Sequence, residues 1–168
     1  MKAKLIVEGK EFEVDINHPE LEKLIKPEKK TGYERVENDD FYFFETTEGT
    51  IESSSDIHCL EDDASYRVAN YYSSPIIAEN NARADRLMRQ LRRFAAEHRK
   101  EEIDWNNYNE VKWNVYFDYS EKDFFINYCP HQKDLFGIYF DSEKTAELAI
   151  ETFHDELIWY FTEYKDSL

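Results

Sequence analysis

The hydrophobic and polar positions near the start of the chain alternate with the period of a β-strand. Residues 4–8 alternate in this way, Gly9 follows, and residues 11–16 alternate again. Period-two alternation on both sides of a glycine turn is typical of two antiparallel strands joined by a tight connection. The pattern therefore predicts an N-terminal β-hairpin.

The next segments predict a short helix, a second hairpin and a loop. Asn17 is a suitable N-cap for a helix over 18–27, where leucine and isoleucine recur at helical spacing. The aromatic run 41–44 is strand-like, and a Thr-Glu-Gly turn leads from it into a second short strand at 50–52. Residues 53–65 are rich in Ser, Asp and Glu, so we expect a loop there.

The strongest helical pattern lies in the middle of the chain. Ser74 can cap a helix with Pro75 at its first position, and apolar residues recur every three or four residues up to about Arg99. The predicted buried stripe consists of Ile77, Ala84, Leu87, Met88, Leu91, Phe94 and Ala95. One buried stripe predicts a long helix packed on a core.

The C-terminal part predicts a sheet covered by a helix. Three aromatic and β-branched runs, at 111–119, 123–128 and 135–140, are separated by short polar turns and predict a three-stranded antiparallel meander. Ser142 then caps a final helix whose apolar stripe can cover one face of that meander. The fold class is α+β, with an N-terminal hairpin region over 1–66 and a helix-sheet-helix domain over 67–168.

Composition narrows the class of protein. A chain of 168 residues with 12 Tyr, 12 Phe and 3 Trp can bury a core, which argues against global disorder. The net charge of −16 opposes binding to nucleic acid or to anionic lipid, and it favours basic protein partners. The chain has no apolar run long enough to span a membrane and only two cysteines. We therefore expect a cytoplasmic protein with no membrane and no direct nucleic-acid contact.

The charge is unevenly distributed. Residues 76–100 carry seven basic and three acidic residues, and the other 143 residues carry 14 basic and 34 acidic ones, so the two parts have net charges of +4 and −20. One interpretation is that the outer face of this helix pairs with acids elsewhere in the chain. The alternative is a candidate anion-binding stripe. This stripe consists of Arg83, Arg86, Arg89 and Arg93.

Acidic residues are dense in the first part of the chain. A solvated acidic face is the simpler interpretation. The sharper hypothesis is that these carboxylates imitate nucleic-acid phosphates and enter the basic channel of a nucleic-acid enzyme. The candidate partner-binding residues are Asp39, Asp40, Glu45, Glu48, Glu52, Asp56, Glu61, Asp62 and Asp63.

Metal and catalytic chemistry is only weakly indicated. Two short motifs, His58-Cys59 and Cys129-Pro130-His131, could form a zinc site if they met, but neither has C-x-x-C spacing. Asp118 and Asp141 flank predicted strand ends, where they could share a divalent cation or simply shape turns. No nucleophile motif or glycine-rich phosphate loop is present in the sequence. We therefore assign no catalytic residue, metal or cofactor.

The number of aromatic residues exceeds what one sheet face and one helix need to bury. In an acidic chain, exposed aromatic side chains more often form a protein interface than a stacking platform for bases. A homodimer is the simplest partner for such a surface.

From about Val68 onward the chain resembles a family of small acidic proteins encoded by phages, prophages and other mobile elements of Gram-positive bacteria. A weaker similarity covers 31–36. The stretches that carry the main resemblance are 73–85, 88–95, 103–106, 138–143 and 153–161. The family pattern has no catalytic residues to transfer. The resemblance implies an anti-defence context, in which small acidic proteins inhibit host enzymes.

These observations favour a non-enzymatic inhibitor of a bacterial defence nuclease of the CRISPR or restriction type, which occludes its nucleic-acid site. Two alternatives remain open. One is a nucleotide- or metal-dependent anti-defence enzyme or ligand-sequestering protein, and the other is a structural phage accessory protein.

Overall fold

The computed structural model describes residues 2–7, 10–15, 30–129, 131–135 and 137–168. The six strands are β1 (Lys2–Val7), β2 (Lys10–Asp15), β3 (Phe41–Glu45), β4 (Ile51–Ser55), β5 (Trp113–Asp118) and β6 (Asp123–Tyr128). The three helices are α1 (Leu60–Arg67), α2 (Pro75–His98) and α3 (Glu143–Thr162). This mixture of helices and antiparallel strands confirms the α+β class. The short helix expected over 18–27 lies outside the described residues.

The strands pair as three antiparallel hairpins. β1 pairs with β2, β3 with β4, and β5 with β6. The first two pairs confirm the predicted hairpins, and Tyr42 lies opposite Ser54 in the second of them. A backbone bridge also joins Phe43 of β3 to Tyr72. β3 is therefore held on both of its edges, by β4 and by the segment that precedes α2.

The prediction of a loop over 53–65 is wrong. β4 continues through Ser55, and α1 begins at Leu60. The serines of this segment lie opposite the aromatic residues of β3, which supply the apolar surface that the serines lack. α1 carries three acids in its first turn, Glu61, Asp62 and Asp63, where the helix dipole favours negative charge. Composition alone misjudged the segment because its stabilising partners lie elsewhere in the chain.

The long helix is confirmed as α2. Six of the seven residues of the predicted stripe, Ile77, Ala84, Leu87, Leu91, Phe94 and Ala95, are buried, and the seventh, Met88, is half-buried. Ile77 and Ala78 pack with Tyr72 against Phe43 and Ile51 of the second hairpin. The C-terminal end of the stripe packs with α3 and the third hairpin in a larger core. α2 therefore touches both parts of the chain, and the division into 1–66 and 67–168 stays a prediction.

The third strand of the predicted meander is wrong within the described residues. Of the described residues in the run 135–140, Phe140 is the one that forms a bridge, and it pairs with Trp113 of β5. Asp134 instead forms a local turn with the residues that follow it. Its carboxylate accepts a hydrogen bond from the Tyr139 hydroxyl, and its backbone carbonyl accepts one from the Gly137 N–H. This local turn competes with the extended pairing that a strand needs.

The C-terminal helix is confirmed as α3. Ser142 is its N-cap and accepts a hydrogen bond from the Thr145 backbone at 3.2 Å. Ala146, Ala149 and Leu157 lie in the same core as Phe140. Val115 and Phe124 of the third hairpin also pack on this core, so α3 covers one face of that hairpin as expected. None of the helices in the described part of the chain is long and apolar enough to cross a membrane.

Gly32 is required where the chain passes over α2. Its φ of +96° lies in the region that favours glycine, and an added Cβ would come within 2.6 Å of the buried side chain of Ile77. Its carbonyl also accepts a hydrogen bond from Ser73 at 2.8 Å. This contact ties the segment before β3 to the start of α2.

We expect Gly32→Ala to lower the free energy of unfolding by about 1–3 kcal/mol, since it adds both backbone strain and a clash with a packed side chain. Gly49→Ala is the matched control. Its φ is also positive, at +81°, but its added Cβ would come no closer than 3.4 Å to the Arg86 guanidinium and 3.7 Å to the Glu45 carboxylate. Urea unfolding compares the two variants, and equal losses would contradict the role given to the contact with Ile77.

Candidate protein-binding surface

A buried carboxylate, Asp56, organises the acidic part of the chain. Its side chain is fully buried and accepts hydrogen bonds from Arg35 at 2.8 and 3.1 Å. The Tyr71 hydroxyl donates to it at 2.8 Å, and the His58 backbone N–H donates at 2.8 Å. An isolated buried charge is costly, and this set of donors offsets the cost. Asp56 therefore joins the end of β4 to segments on both sides of it.

A second buried carboxylate, Asp62, fixes the start of α1. It is 2% exposed and accepts hydrogen bonds from the backbone N–H groups of Ile57 and Cys59 at 3.0 and 3.1 Å. The Tyr42 hydroxyl donates to its other oxygen at 3.1 Å. The Tyr42 ring stacks on that of Tyr71, with centroids 4.1 Å apart. The two buried carboxylates thus share one aromatic pair.

Both buried carboxyl groups are held in the ionised form. The hydrogen bonds from Arg35 hold the pKa of Asp56 well below its usual range, with Tyr71 contributing. Burial alone would raise the pKa of Asp62, but hydrogen bonds from Cys59, Ile57 and Tyr42 outweigh it, so the pKa is lowered. Two of the nine candidate partner-binding residues are therefore structural. They are not available to a partner at the surface.

The remaining acids of this segment divide by exposure. Glu45 is mostly buried and pairs with Arg89 of α2 at 3.2 Å. Asp63 is half exposed and pairs with Arg35 at 2.7 Å. The other five members, Asp39, Asp40, Glu48, Glu52 and Glu61, are exposed.

The stretch of sequence that contains these exposed acids is strongly acidic. Residues 37–63 contain Glu37 and the nine candidate acids, and they contain no Lys or Arg. The structure brings this segment together as one hairpin and one short helix, β3–β4 and α1. We call its exposed members, Asp39, Asp40, Glu48, Glu52 and Glu61, the acidic surface.

The four arginines of the candidate anion-binding stripe make contacts within the chain. Arg83 donates two hydrogen bonds to Glu156 of α3, at 2.8 and 3.0 Å, and its guanidinium lies 4.0 Å from the centroid of the Trp159 ring. Arg86 donates to the carbonyl of Gly49 at 2.8 Å. Arg89 pairs with Glu45, as described above.

Arg93 pairs with Glu97 one turn along α2, at 3.8 Å. Each of the four arginines of the candidate stripe therefore has a partner in the chain. Anion binding by these four residues stays a prediction, and any anion would compete with the contacts that they make.

The cysteine and histidine motifs are not brought together. Cys59 lies at the N-terminus of α1, whereas Cys129 follows β6 and its thiol bonds with Gln132. His131 instead contacts the ring of Tyr108. Among the described residues, no group of three or more His, Cys, Asp or Glu side chains is placed to hold a metal ion.

The two aspartates weighed as a cation site have local roles. Asp118 accepts hydrogen bonds from Ser120, including one at 2.6 Å from its hydroxyl, and so shapes the β5–β6 turn. Asp141 accepts from the Lys100 backbone at 2.7 Å and from the Thr145 hydroxyl at 3.3 Å. These contacts agree with the turn and cap interpretation of the two residues.

Several aromatic side chains of the third hairpin are exposed, as expected from their number. Tyr116 and Phe125 are cross-strand neighbours that stack on the outer face, with ring centroids 5.8 Å apart. Tyr119 and Tyr128 are more exposed still. A homodimer through this face stays a prediction.

Three residues that organise the acidic part were missed in the sequence. Arg35, Tyr42 and Tyr71 hold the two buried carboxylates, but they lie up to 36 positions apart and form no motif. The one available signal was Arg35 itself, an isolated cation just before a long acidic stretch.

Comparisons with protein-family models, with curated proteins and with solved structures find no match to this chain.

We expect Asp56→Asn to lower the free energy of unfolding by about 3 kcal/mol, because it leaves the Arg35 guanidinium without its buried partner. The matched control is Asp63→Asn. It removes the half-exposed partner of the same arginine and should cost less than about 1 kcal/mol. Chemical unfolding of both variants tests this difference, and an Asp56→Asn protein as stable as the control would contradict the structural role.

The lowered pKa of Asp56 also predicts how stability depends on pH. A carboxyl group whose pKa is lower in the folded state stabilises the protein above its unfolded pKa, about 4 for Asp, and this contribution is lost as the pH falls further. Between pH 7 and pH 3 the native chain should therefore lose more stability than Asp56→Asn does. Unfolding curves that shift in parallel for the two proteins would contradict the prediction.

Proposed function

We propose that this chain is a non-enzymatic inhibitor that binds a bacterial defence nuclease of the CRISPR or restriction type and occludes its nucleic-acid site. The observation that carries the proposal is the acidic surface, five exposed carboxylates in a segment without Lys or Arg. A basic channel that binds nucleic acid is the complementary partner for such a surface, because opposite fields speed encounter and favour correct orientation.

The arrangement of the acidic surface supports this proposal. Asp39 and Asp40 precede β3, Glu48 lies in the turn after it, and Glu52 lies on β4. A five-residue strand is roughly 17 Å long, which is roughly the axial length of five nucleotides of one DNA strand. Carboxylates at both ends of this hairpin can therefore meet several successive phosphate sites of a channel.

The buried network gives the acidic surface a fixed shape. Backbone hydrogen bonds join Asp39 N–H to the Asp56 carbonyl at 2.8 Å and Asp56 N–H to the Asp40 carbonyl at 2.9 Å. The exposed acids near the start of β3 are thus anchored directly to the buried acid. A rigid charged surface loses less entropy on binding than a flexible tail of the same charge.

The resemblance to proteins of mobile elements supplies the biological context of the proposal. Under it the protein acts in the cytoplasm of the bacterial host cell, where defence nucleases meet invading DNA. The inhibitor works by stoichiometric occlusion and needs no cofactor or turnover.

The experiment is a plating assay in bacteria that carry one defined CRISPR or restriction system and are challenged with a phage which that system restricts. Expression of the native chain should restore plaque formation. A variant with Asp39→Asn, Asp40→Asn, Glu52→Gln and Glu61→Gln should fail to do so. We expect its affinity for the purified nuclease to be at least about tenfold weaker, which corresponds to about 1.4 kcal/mol of binding free energy.

The matched control neutralises the same number of exposed carboxylates outside the acidic surface. It carries Glu101→Gln, Glu102→Gln, Glu121→Gln and Glu147→Gln, and it should retain activity. Equal losses in the two variants would show that only net charge matters. Failure of the native chain against every CRISPR and restriction system tried would overturn the proposed function.

A further inference from the structure

An apolar cavity lies between α2, α3 and β5. It has a volume of about 520 Å³ and is lined mainly by aliphatic and aromatic side chains. Met88, Leu91, Ile138, Ile150, Leu157 and Phe161 form much of its wall. Binding sites for small molecules commonly have volumes of roughly 300–1,000 Å³ and mostly apolar walls. We call this cavity the apolar chamber.

A second, smaller cavity adjoins the chamber and has the opposite character. It has a volume of about 280 Å³ and shares Arg92, Gly137 and Ile138 with the chamber. Its lining also includes Arg99 and Lys133, and none of its described lining residues is acidic. We call it the basic cleft. Three cations around one small cleft are notable in a chain whose net charge is −16.

Arg92 is unpaired among the described residues. Its guanidinium makes no hydrogen bond and no ion pair with any described residue, in contrast to Arg83, Arg86, Arg89 and Arg93. A guanidinium offers planar, paired donors that fit a carboxylate or a phosphate. Arg92 lines both cavities, so a bound anion in its reach would also touch the chamber.

Trp105 provides a wall for the basic cleft. The Lys133 ammonium lies 5.3 Å from the centroid of the indole ring and that of Lys112 lies 5.7 Å from it. The indole also packs edge-on against Tyr139, with centroids 4.8 Å apart. An anion near this ring would therefore meet a lysine ammonium already positioned above an aromatic surface.

The charged side chains that line the two cavities set the orientation of a bound ligand. Asp85 is the acidic residue of the chamber lining, and it precedes Arg92 by two helical turns, roughly 10 Å along α2. An anionic group would be repelled at the Asp85 end and attracted at the Arg92 end. The apolar wall between them suits a hydrocarbon or aromatic body.

We propose that the apolar chamber and the basic cleft together bind an anionic amphiphile. Its apolar body fills the chamber between α2 and α3, and its carboxylate or phosphate lies at Arg92, Arg99 and Lys133. This site is separate from the acidic surface and takes a small molecule, whereas the acidic surface takes a protein.

Calorimetric titration of the native chain tests the proposal with three ligands. Decanoate and decyl phosphate are used below their critical micelle concentrations, and decanol is used below its solubility limit. Decanoate and decyl phosphate should bind with one site per chain, and neutral decanol should bind at least roughly tenfold more weakly. Equal binding of decanol and the two anions would overturn the role of the basic cleft. Absence of binding by all three would overturn the site.

Two variants separate the two halves of the site. Arg92→Gln should weaken decanoate binding by at least roughly tenfold and leave decanol binding unchanged. Ile150→Trp, which fills part of the chamber, should weaken the binding of both decanoate and decanol. Circular dichroism checks that this variant folds. Arg93→Gln is the matched control on the same turn of α2, since Arg93 lines neither cavity, and it should bind decanoate as the native chain does.

If Arg92→Gln and Arg93→Gln bind decanoate equally well, the proposed site for the anionic group is wrong. The four-residue variant of the acidic surface should bind decanoate normally. The two proposals can therefore fail independently.

Discussion

The ion pair between Arg35 and the buried carboxylate of Asp56 is the interaction on which the acidic part of the molecule depends. Asp56 lies at the end of β4, Arg35 precedes β3, and Tyr71, which also bonds to Asp56, precedes α2. Three stretches of chain converge on one charge. A buried charge without partners costs several kcal/mol of folding free energy. Moving any of these partners away from Asp56 is therefore unfavourable.

This network divides the acidic residues into two groups with different purposes. Asp56 and Asp62 are buried inside the protein, where hydrogen bonds keep them ionised. The members of the acidic surface remain in water on the elements that the buried pair holds together. High negative charge normally opposes compact structure. Here two of the charges help to build it, and the five carboxylates of the acidic surface lie on the elements that these two connect.

The sequence predicted the elements whose signal is local. The stripe of α2, the Ser142 cap of α3 and the paired strands of the second hairpin each depend on residues close in the chain. The segment 53–65 was misjudged because its serines are stabilised by β3 and its acids by Arg35, Tyr42 and Tyr71. The run 135–140 has strand composition, but the Asp134 turn leaves Phe140 as its one described bridging residue.

The residues of the candidate site were also predicted only as far as local sequence could show. Exposure separates Asp39 from Asp56, although the two residues look alike in the sequence and lie in the same acidic stretch. The helical arginines were equally ambiguous until their partners were known. Arg92 belongs to the same run, yet of these arginines it is the one that lines both cavities. It lies about 100° around α2 from Arg93, since successive residues of an α-helix are about 100° apart.

The central claim is that the acidic surface recognises its partner through charge. The most direct measurement is the dissociation constant for the nuclease identified by plating, determined from about 50 to 400 mM salt. We expect the affinity to fall by roughly tenfold or more over this range, because several ion pairs formed on binding are screened. An affinity that is indifferent to salt would contradict it.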